Sequence, residues 1–358
     1  MKITMNDLLL KALELKASDL HLTTSLPPMF RVDGTLFPME NTVPLTPGDC
    51  ESLIYELLDD SFKERLMQTG ELDFSFSLPK KSRFRINVYK QRKSLAAAIR
   101  IILVDIPSID DLGLPDSLKT LALKPRGLVL VTGPTGSGKS TTLAAMLKHI
   151  NLLRNCHVLT IEDPIEYLHK HGKSMINQRE IGDDTISFAN ALRAALREDP
   201  DVILVGEMRD LETISTALMA SETGHLVLST LHTTTAAQTI DRIIDVFPPN
   251  QQQQIKVQLA SVLQGIISQQ LLPRLDSSGR VAALEVLIAT DAIKNMIREG
   301  KTHQIDSVIQ TGTKYGMAPM DFSLANLVKR RVISLEEATT RSFNPELFKR
   351  YLSQPLAY

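Results

Sequence analysis

The sequence is poor in several residue types, and each shortage limits what the protein can be. It has no tryptophan, 5% aromatic residues and two cysteines in 358 residues. Cys50 and Cys156 are far apart and form neither a CxxC pair nor a disulfide framework, so we expect a chain of the reducing cytosol. The low aromatic content also argues against a strip of stacking side chains for single-stranded nucleic acid.

An excess of charge and long apolar runs are missing as well. The 40 Lys and Arg residues balance 41 Asp and Glu residues, giving a formal net charge of -1 and no global field that attracts nucleic acid. No apolar stretch approaches the ~20 residues that cross a bilayer. The first residues, MKITMNDLLLKALELKASD, have the leucine spacing of an amphipathic helix. We therefore expect no secretory signal, no transmembrane segment and no nucleic-acid partner.

Length and local patterns predict more than one domain, since 358 residues exceed one ordinary core of about 100 to 200 residues. Residues 1–105 alternate apolar and polar positions around turn signals, and Asp33-Gly34 predicts a hairpin. In RFRINVYKQR the alternation places Arg83 and Arg85 on one face of a strand. A solvated edge face is the alternative interpretation, because basic residues often protect sheet edges.

Residues 106–119, with prolines, a glycine and acidic residues, are predicted to be a linker.

From Gly127 onward, short aliphatic strands alternate with helical segments, which is typical of a parallel sheet with crossover helices. The strands are LVLVT, VLTI at 158–161, VILV at 202–205 and HLVLSTL. They are too apolar to face water, so we expect them in the middle of a sheet covered by helices.

The stretch GPTGSGKST follows the first of these strands and precedes a helical pattern. It fits G-x-x-x-x-G-K-[ST], in which glycines let backbone N–H groups converge on phosphates. Lys139 can reach the β- and γ-phosphates, and the Ser140 hydroxyl can complete a magnesium shell. ATP is favoured over GTP because no Asn-Lys-x-Asp segment occurs. The predicted nucleotide-binding loop consists of Gly133, Pro134, Thr135, Gly136, Ser137, Gly138, Lys139, Ser140 and Thr141.

Hydrolysis requires a group that activates water, and DPDVILVGE ends in Glu207. Carboxylates at the carboxyl ends of parallel strands face the ligand crevice, so Glu207 is the predicted catalytic base. The alternative is a simple ion pair between Glu207 and Arg209.

A second acidic cluster follows the strand VLTI. Glu162 and Asp163 are predicted to face the nucleotide, and Glu166 to share its magnesium ion, which would relieve the repulsion of adjacent carboxylates. An acidic surface loop is the alternative. His232 ends the fourth strand, where it could sense or relay the phosphate state; a packed or surface histidine is the alternative.

With these residues in place, the sequence resembles the secretion-superfamily ATPases, and among them the motors that retract type IV pili. The resemblance rests on GPTGSGKST, TIEDPIE, ETGHLVLSTLHT and TIDRIIDVFPPNQQQQIKVQLASVLQGIISQQLLPR, with SDLHL and RVDG near the start. It implies an α/β fold: a smaller α+β PAS-like domain (1–105), a linker (106–119), a RecA-like P-loop NTPase core (120–275) and a C-terminal helical region (276–358).

The resemblance also implies roles and partners. The cofactors would be ATP and Mg²⁺, with Lys139, Glu166, Glu207 and His232 acting in catalysis. Arginines of the N-terminal domain would contact phosphates at a domain or subunit interface; Arg83, Arg85 and Arg100 fit, with Arg197 and Arg209 as further candidates. The chain would form a homohexamer in the cytoplasm, bound peripherally to the inner membrane through a pilus platform protein, and would act on pilin indirectly.

Alternatives remain at this stage. The related secretion and pilus-extension ATPases usually carry a four-cysteine metal site, which two cysteines cannot form. A RecA-like motor on nucleic acid would need a basic, aromatic strip that the composition disfavours. A P-loop protein that signals without turnover would bind ATP and release no phosphate.

Overall fold

The computed structural model describes residues 3–32, 34–78, 81–102, 105–275 and 279–355. The chain divides into two compact units, Met1–Asp105 and Ile106–Tyr358. Each has its own hydrophobic core, so each is described by itself.

Within its described residues the first unit combines three helices with a six-stranded antiparallel sheet of order β3-β2-β1-β6-β5-β4. The amphipathic helix predicted near the N-terminus is α1. Thr4 is its N-cap residue, and the Thr4 side chain accepts a hydrogen bond from the Asp7 N–H. The elements are α1 (Met5–Glu14), β1 (Asp19–Leu22), β2 (Met29–Val32), β3 (Thr35–Pro38), α2 (Pro47–Tyr55), α3 (Asp60–Thr69), β4 (Glu71–Leu78), β5 (Ser82–Gln91) and β6 (Ser94–Ile102).

Strand β5 shows the predicted alternation: Phe84, Ile86 and Val88 are buried, while Arg85 is exposed on the other face. The edge interpretation is wrong, because β5 lies between β4 and β6 and is paired on both sides. The predicted hairpin is present as the β2–β3 pair. Asp33 lies outside the described residues, and Gly34 has a φ of 83°, which favours glycine.

The second unit is built on a seven-stranded sheet of order β13-β12-β7-β11-β10-β8-β9. Every neighbouring pair is parallel except β12–β13. The elements are α4 (Ser117–Ala122), β7 (Gly127–Thr132), α5 (Lys139–Leu153), β8 (His157–Glu162), β9 (Met175–Glu180), α6 (Phe188–Ala195), β10 (Val202–Val205), α7 (Leu211–Glu222), β11 (Leu226–Leu231), α8 (Ala236–Asp245), α9 (Pro249–Val262), β12 (Leu263–Pro273), β13 (Arg280–Ile288), α10 (Asp291–Glu299), α11 (Ile305–Thr311), α12 (Met320–Lys329), α13 (Leu335–Arg341) and α14 (Pro345–Ser353), with short 3-10 turns at Thr302–Gln304 and Thr313–Tyr315.

The four aliphatic strands occupy adjacent central positions as β7, β11, β10 and β8, and helices cover both faces, so the predicted α/β class is confirmed. Because these strands are parallel, their carboxyl ends meet at one edge of the sheet. The loop after β7, the acidic segment after β8, Glu207 after β10 and His232 after β11 therefore share that edge.

Two regions differ from the sequence-based description. Residues 280–288, assigned above to a helical region, form the edge strand β13, which pairs with β12 over its full length. In the predicted linker, Ile109 and Leu114 are buried in the core of the second unit. Apolar side chains between turn signals can pack against a neighbouring sheet, and local sequence does not reveal that sheet.

Candidate functional site

The loop between β7 and α5 has a backbone that requires glycine. Gly133, Gly136 and Gly138 have φ angles of 143°, 77° and 85°, in the region that favours glycine. Gly133 also lies against β12, because a Cβ there would come within 2.3 Å of the Gln269 carbonyl oxygen. The glycines of the GxxxxGKS loop are therefore needed for two reasons: the backbone has positive φ angles there, and at Gly133 there is no space for a side chain.

Lys139 begins α5 and is buried inside this loop. Its Nζ donates to the carbonyl oxygens of Gly133 at 2.9 Å and Pro134 at 3.0 Å. Burial lowers the pKa of Lys139, and the nearby carboxylates of Glu207 and Glu166 act in the opposite direction. The ammonium is therefore held by weak carbonyl partners, which a phosphate could replace.

Ser140 and Thr141 lie in the first turn of α5. The Thr141 hydroxyl is hydrogen-bonded to the Tyr167 hydroxyl at 2.8 Å, which ties the start of the helix to the acidic segment. Ser140 is partly exposed and Glu166 is exposed. The Ser140 hydroxyl and the exposed Glu166 carboxylate could both be ligands of a magnesium ion. Two protein ligands are enough, because Mg²⁺ bound with a nucleotide also takes oxygen ligands from the phosphates and from water.

The three acids at the end of β8 and just after it differ in their surroundings. Glu162 accepts hydrogen bonds from the Thr160 hydroxyl at 2.6 Å and from the Gln178 amide at 3.2 Å. Burial raises the pKa of Glu162 to about 7. Its carboxyl group thus anchors the segment from inside, whereas Asp163 and Glu166 are exposed to a ligand.

Glu207 is the centre of a small network directly after β10. Its Oε1 accepts a hydrogen bond from Arg209 Nε at 2.6 Å and lies 3.0 Å from His232 Nε2. The ion pair with Arg209, raised above as an alternative, is therefore present. The role of Glu207 as catalytic base stays a prediction. The hydrogen bond to Glu207 raises the pKa of Arg209, so the guanidinium stays charged.

An open cavity of about 500 Å³ lies beside this network. Glu207, Arg209, His232 and Thr233 line it, together with Arg242 of α8. Water and a phosphate-sized group therefore have room next to the carboxylate.

The predicted arginines fall into two groups. Arg83, Arg85 and Arg100 belong to the first unit, where Arg85 lies opposite Arg100 in the β5–β6 register and Arg100 Nε contacts Asp19 at 3.0 Å. Arg209 lies at the site. Arg197 follows α6 and precedes β10, so it lies toward the amino ends of the strands, away from the site of its own chain.

Sequence reasoning missed several residues that hold the site together. Gln178 Nε2 also donates to the Tyr167 carbonyl at 2.9 Å, and Glu180 accepts from the Ile165 N–H at 3.2 Å. Gln269 contacts the phosphate loop. The sequence gives no signal that singles them out, because β9 (MINQRE) and β12 (LQGIISQQLLP) each contain several polar residues.

No group of three or more His, Cys, Asp or Glu side chains in the described ranges is arranged to hold a metal ion. Among the helices in those ranges, none has the length and apolarity to span a membrane.

A parallel sheet whose first central strand leads into a GxxxxGKS loop, with carboxylates at the ends of its neighbours, defines a RecA-like P-loop ATPase. The family model described as Type II/IV secretion system protein matches residues 1–342. This chain belongs to that family and is an ATPase.

Individual relatives cover nearly the whole chain. The Pseudomonas aeruginosa protein named type IV pilus retractation ATPase PilT is 50% identical over 332 residues, which is 93% of this chain and 96% of that protein. A Neisseria gonorrhoeae twitching motility protein is 50% identical over 319 residues, covering 89% and 85%. A crystal structure of the pilus retraction motor PilT with bound ADP, 50% identical, matches with a TM-score of 0.91 over 97% of this chain and 99% of that one.

Proposed function

We propose that this chain is a hexameric motor that hydrolyses ATP to retract type IV pili. The observation that carries the proposal is the Glu207 carboxylate, set beside His232 at the sheet edge that also holds the phosphate loop. The likeness to retraction ATPases over almost the full chain supports the cellular role.

Nucleotide binding begins with an exchange of partners at Lys139. The phosphates take the Nζ contacts that the carbonyl groups of Gly133 and Pro134 now hold. Ser140 and Glu166 would hold Mg²⁺, which supplies positive charge against the transferring phosphoryl group. Burial of Lys139 strengthens its attraction for the phosphates, because the local dielectric is low.

Hydrolysis then depends on Glu207. Its carboxylate orients the attacking water and accepts a proton from it, while the contact from His232 fixes the carboxylate in place. Arg209 contacts the same oxygen, so release of that ion pair leaves this oxygen free to accept a hydrogen bond from the water.

The remaining charge comes from a neighbouring copy. Arg83, Arg85 and Arg100 of one chain complete the phosphate contacts of the next, and loss of the γ-phosphate removes this clamp. Sequential closure around a homohexamer would then move an inner-membrane platform protein from the cytoplasmic side and withdraw pilin subunits from the filament.

The test is a host strain that lacks this gene and is complemented with wild type or Glu207→Gln. We expect the variant to bind ATP and to release phosphate at least about a hundredfold more slowly, because amides accept protons poorly. The strain carrying it should show persistent, non-retracting pili and no twitching.

Glu336→Gln is the matched control, since Glu336 is an exposed glutamate of α13 and belongs neither to the phosphate loop nor to the segments that follow β8, β10 and β11. It should restore twitching fully. Equal phosphate release by wild type and Glu207→Gln would show that another group is the base. Normal pilus dynamics in the deletion strain, or ATPase activity stimulated by single-stranded DNA in a salt-sensitive way, would contradict the pilus function.

A further inference from the structure

Gln269 occupies a distinctive position in β12, the strand next to β7. The parallel register pairs Ser268 with Thr132, the last residue of β7, and their hydroxyl groups are hydrogen-bonded at 3.0 Å. Gln269 is thereby level with Gly133, where the phosphate loop begins. Strand β12, which lies more than a hundred residues after the phosphate loop in the sequence, therefore contacts that loop directly.

The side chain of Gln269 is buried, with 3% of its surface exposed, and both ends of its amide are used. Nε2 donates to the Ser137 carbonyl at 2.6 Å, and Oε1 accepts from the Thr142 hydroxyl at 2.7 Å. The Ser137 carbonyl can accept and cannot donate, so the NH₂ group must face it. One residue therefore connects the middle of the loop to the first turn of α5.

The loop glycines are fitted to this residue. A Cβ on Gly133 would lie 2.3 Å from the Gln269 carbonyl oxygen, and one on Gly138 would lie 2.8 Å from Gln269 Nε2. Both distances are shorter than any real Cβ contact allows. The first contact is with the backbone of β12 and the second with the Gln269 amide, so glycine at both positions lets the loop lie against the strand and its side chain.

We propose that Gln269 is a positioning residue that fixes the shape of the phosphate loop before nucleotide binds. In a trans peptide the C=O and the following N–H point in opposite directions. Holding the Ser137 carbonyl toward β12 therefore turns the Gly138 N–H away from β12, where it is free to meet a phosphate oxygen. This inference rests on the ATPase activity of the site and is independent of the pilus.

The test is Gln269→Leu in the full chain, measured by steady-state ATPase kinetics and by ADP titration. We expect the KM for ATP and the Kd for ADP to rise about tenfold, because binding must then order the loop. The kcat should stay within about threefold, since these loop contacts serve the ground state and the transition state alike. Gln270→Leu is the control: Gln270 is the next residue, half-buried on the opposite face of β12, and both constants should match wild type.

Two further variants keep the test decisive. Gln269→Glu retains an acceptor for Thr142 but cannot donate to Ser137 when ionised, so it should weaken ADP binding more than Gln269→Leu does.

Thr142→Val removes the hydrogen bond between Thr142 and Gln269 and should raise the KM for ATP about threefold. This variant replaces the Gln269 variants in the test if those do not fold. Unchanged KM and Kd in Thr142→Val and in any folded Gln269 variant overturn the inference. Failure of the wild type itself to bind nucleotide would instead contradict the proposed function.

Discussion

At the scale of single residues, Glu285 is a buried carboxyl group with an unusual titration. It lies on β13, is 6% exposed, and its Oε1 accepts from the Ala236 N–H at 2.7 Å. Burial, opposed by the hydrogen bond from Ala236 and assisted by the charges of Asp306 and Asp321, raises the pKa of Glu285 to about 7. The side chain caps α8, directly after the loop that holds His232.

This titration predicts a pH-dependent effect of Glu285→Gln. The folded protein keeps a proton on Glu285 between pH 4.5 and about 7 that the unfolded chain has released, so stability falls as pH rises through that window. Glutamine cannot ionise and still offers an acceptor to Ala236. The variant should thus be more stable than wild type at pH 8, by up to about 3 kcal/mol, and should lose this advantage near pH 5.

Denaturant unfolding at pH 5, 6.5 and 8 measures the difference. Glu336→Gln, at an exposed site, should show no such trend with pH. A constant difference between Glu285→Gln and wild type across this range would refute the assignment.

At the scale of elements, one face of the first sheet carries a row of charged side chains in which arginines outnumber carboxylates. Asp19 contacts Arg100 at 3.0 Å and Arg31 at 3.9 Å, while Arg85 lies opposite Arg100 across the β5–β6 pair. Like charges directly opposite each other destabilise a sheet. A sheet that keeps such a pair is suited to binding an anion.

Arg85→Ala should therefore change the ATPase rate without lowering the melting temperature. Removing one of two opposed guanidinium groups should leave the melting temperature unchanged or slightly higher. The ATPase rate of the assembled protein should fall at least about tenfold if Arg85 contacts phosphate. Lys90→Ala is the control, because Lys90 lies on the same strand with its side chain on the other face. A normal ATPase rate in Arg85→Ala would remove Arg85 from the site.

At the scale of the whole molecule, the proposed active site is shared between copies. Under the proposed function, one chain would supply the phosphate loop, Glu207 and His232, and the next would supply arginines from its first unit. Closed rings repeat one heterologous interface around an axis, so every interface would hold one complete site.

Mixing two inactive variants tests this arrangement. In a ring assembled from equal amounts of Glu207→Gln and Arg85→Ala, about one interface in four joins an intact Glu207 to an intact Arg85 from the neighbour. We expect the mixture to exceed the ATPase rate of either variant alone at concentrations where rings form, and about a quarter of the wild-type rate per chain is the value for interfaces that act independently. If the arginine acted on the site of its own chain, no interface would be complete and the mixture would stay inactive.

Much of this site could be predicted because its signals are local. The phosphate loop, Glu207, the acidic segment and His232 each end a short aliphatic strand, and parallel strands bring their carboxyl ends to one edge. The alternation of β5 likewise separated Phe84 and Ile86 from Arg85 within a single strand.

The remainder was decided by contacts between distant parts of the chain. β13 was expected to be helical, and it is a strand because β12 offers a full-length antiparallel partner. Gln269 and Gln178 are ordinary polar residues in the sequence. They become parts of the site because folding places them within hydrogen-bonding distance of carbonyl, hydroxyl and carboxyl groups of the site.

The sequence by itself determined the nucleotide loop, the parallel core and the candidate base, because residue type and spacing set local backbone geometry and strand direction. The tertiary structure decided which polar side chains support that loop and which carboxyl groups are buried. Those properties depend on solvent exclusion and on partners that lie more than a hundred residues away, as between Gln269 and Ser137.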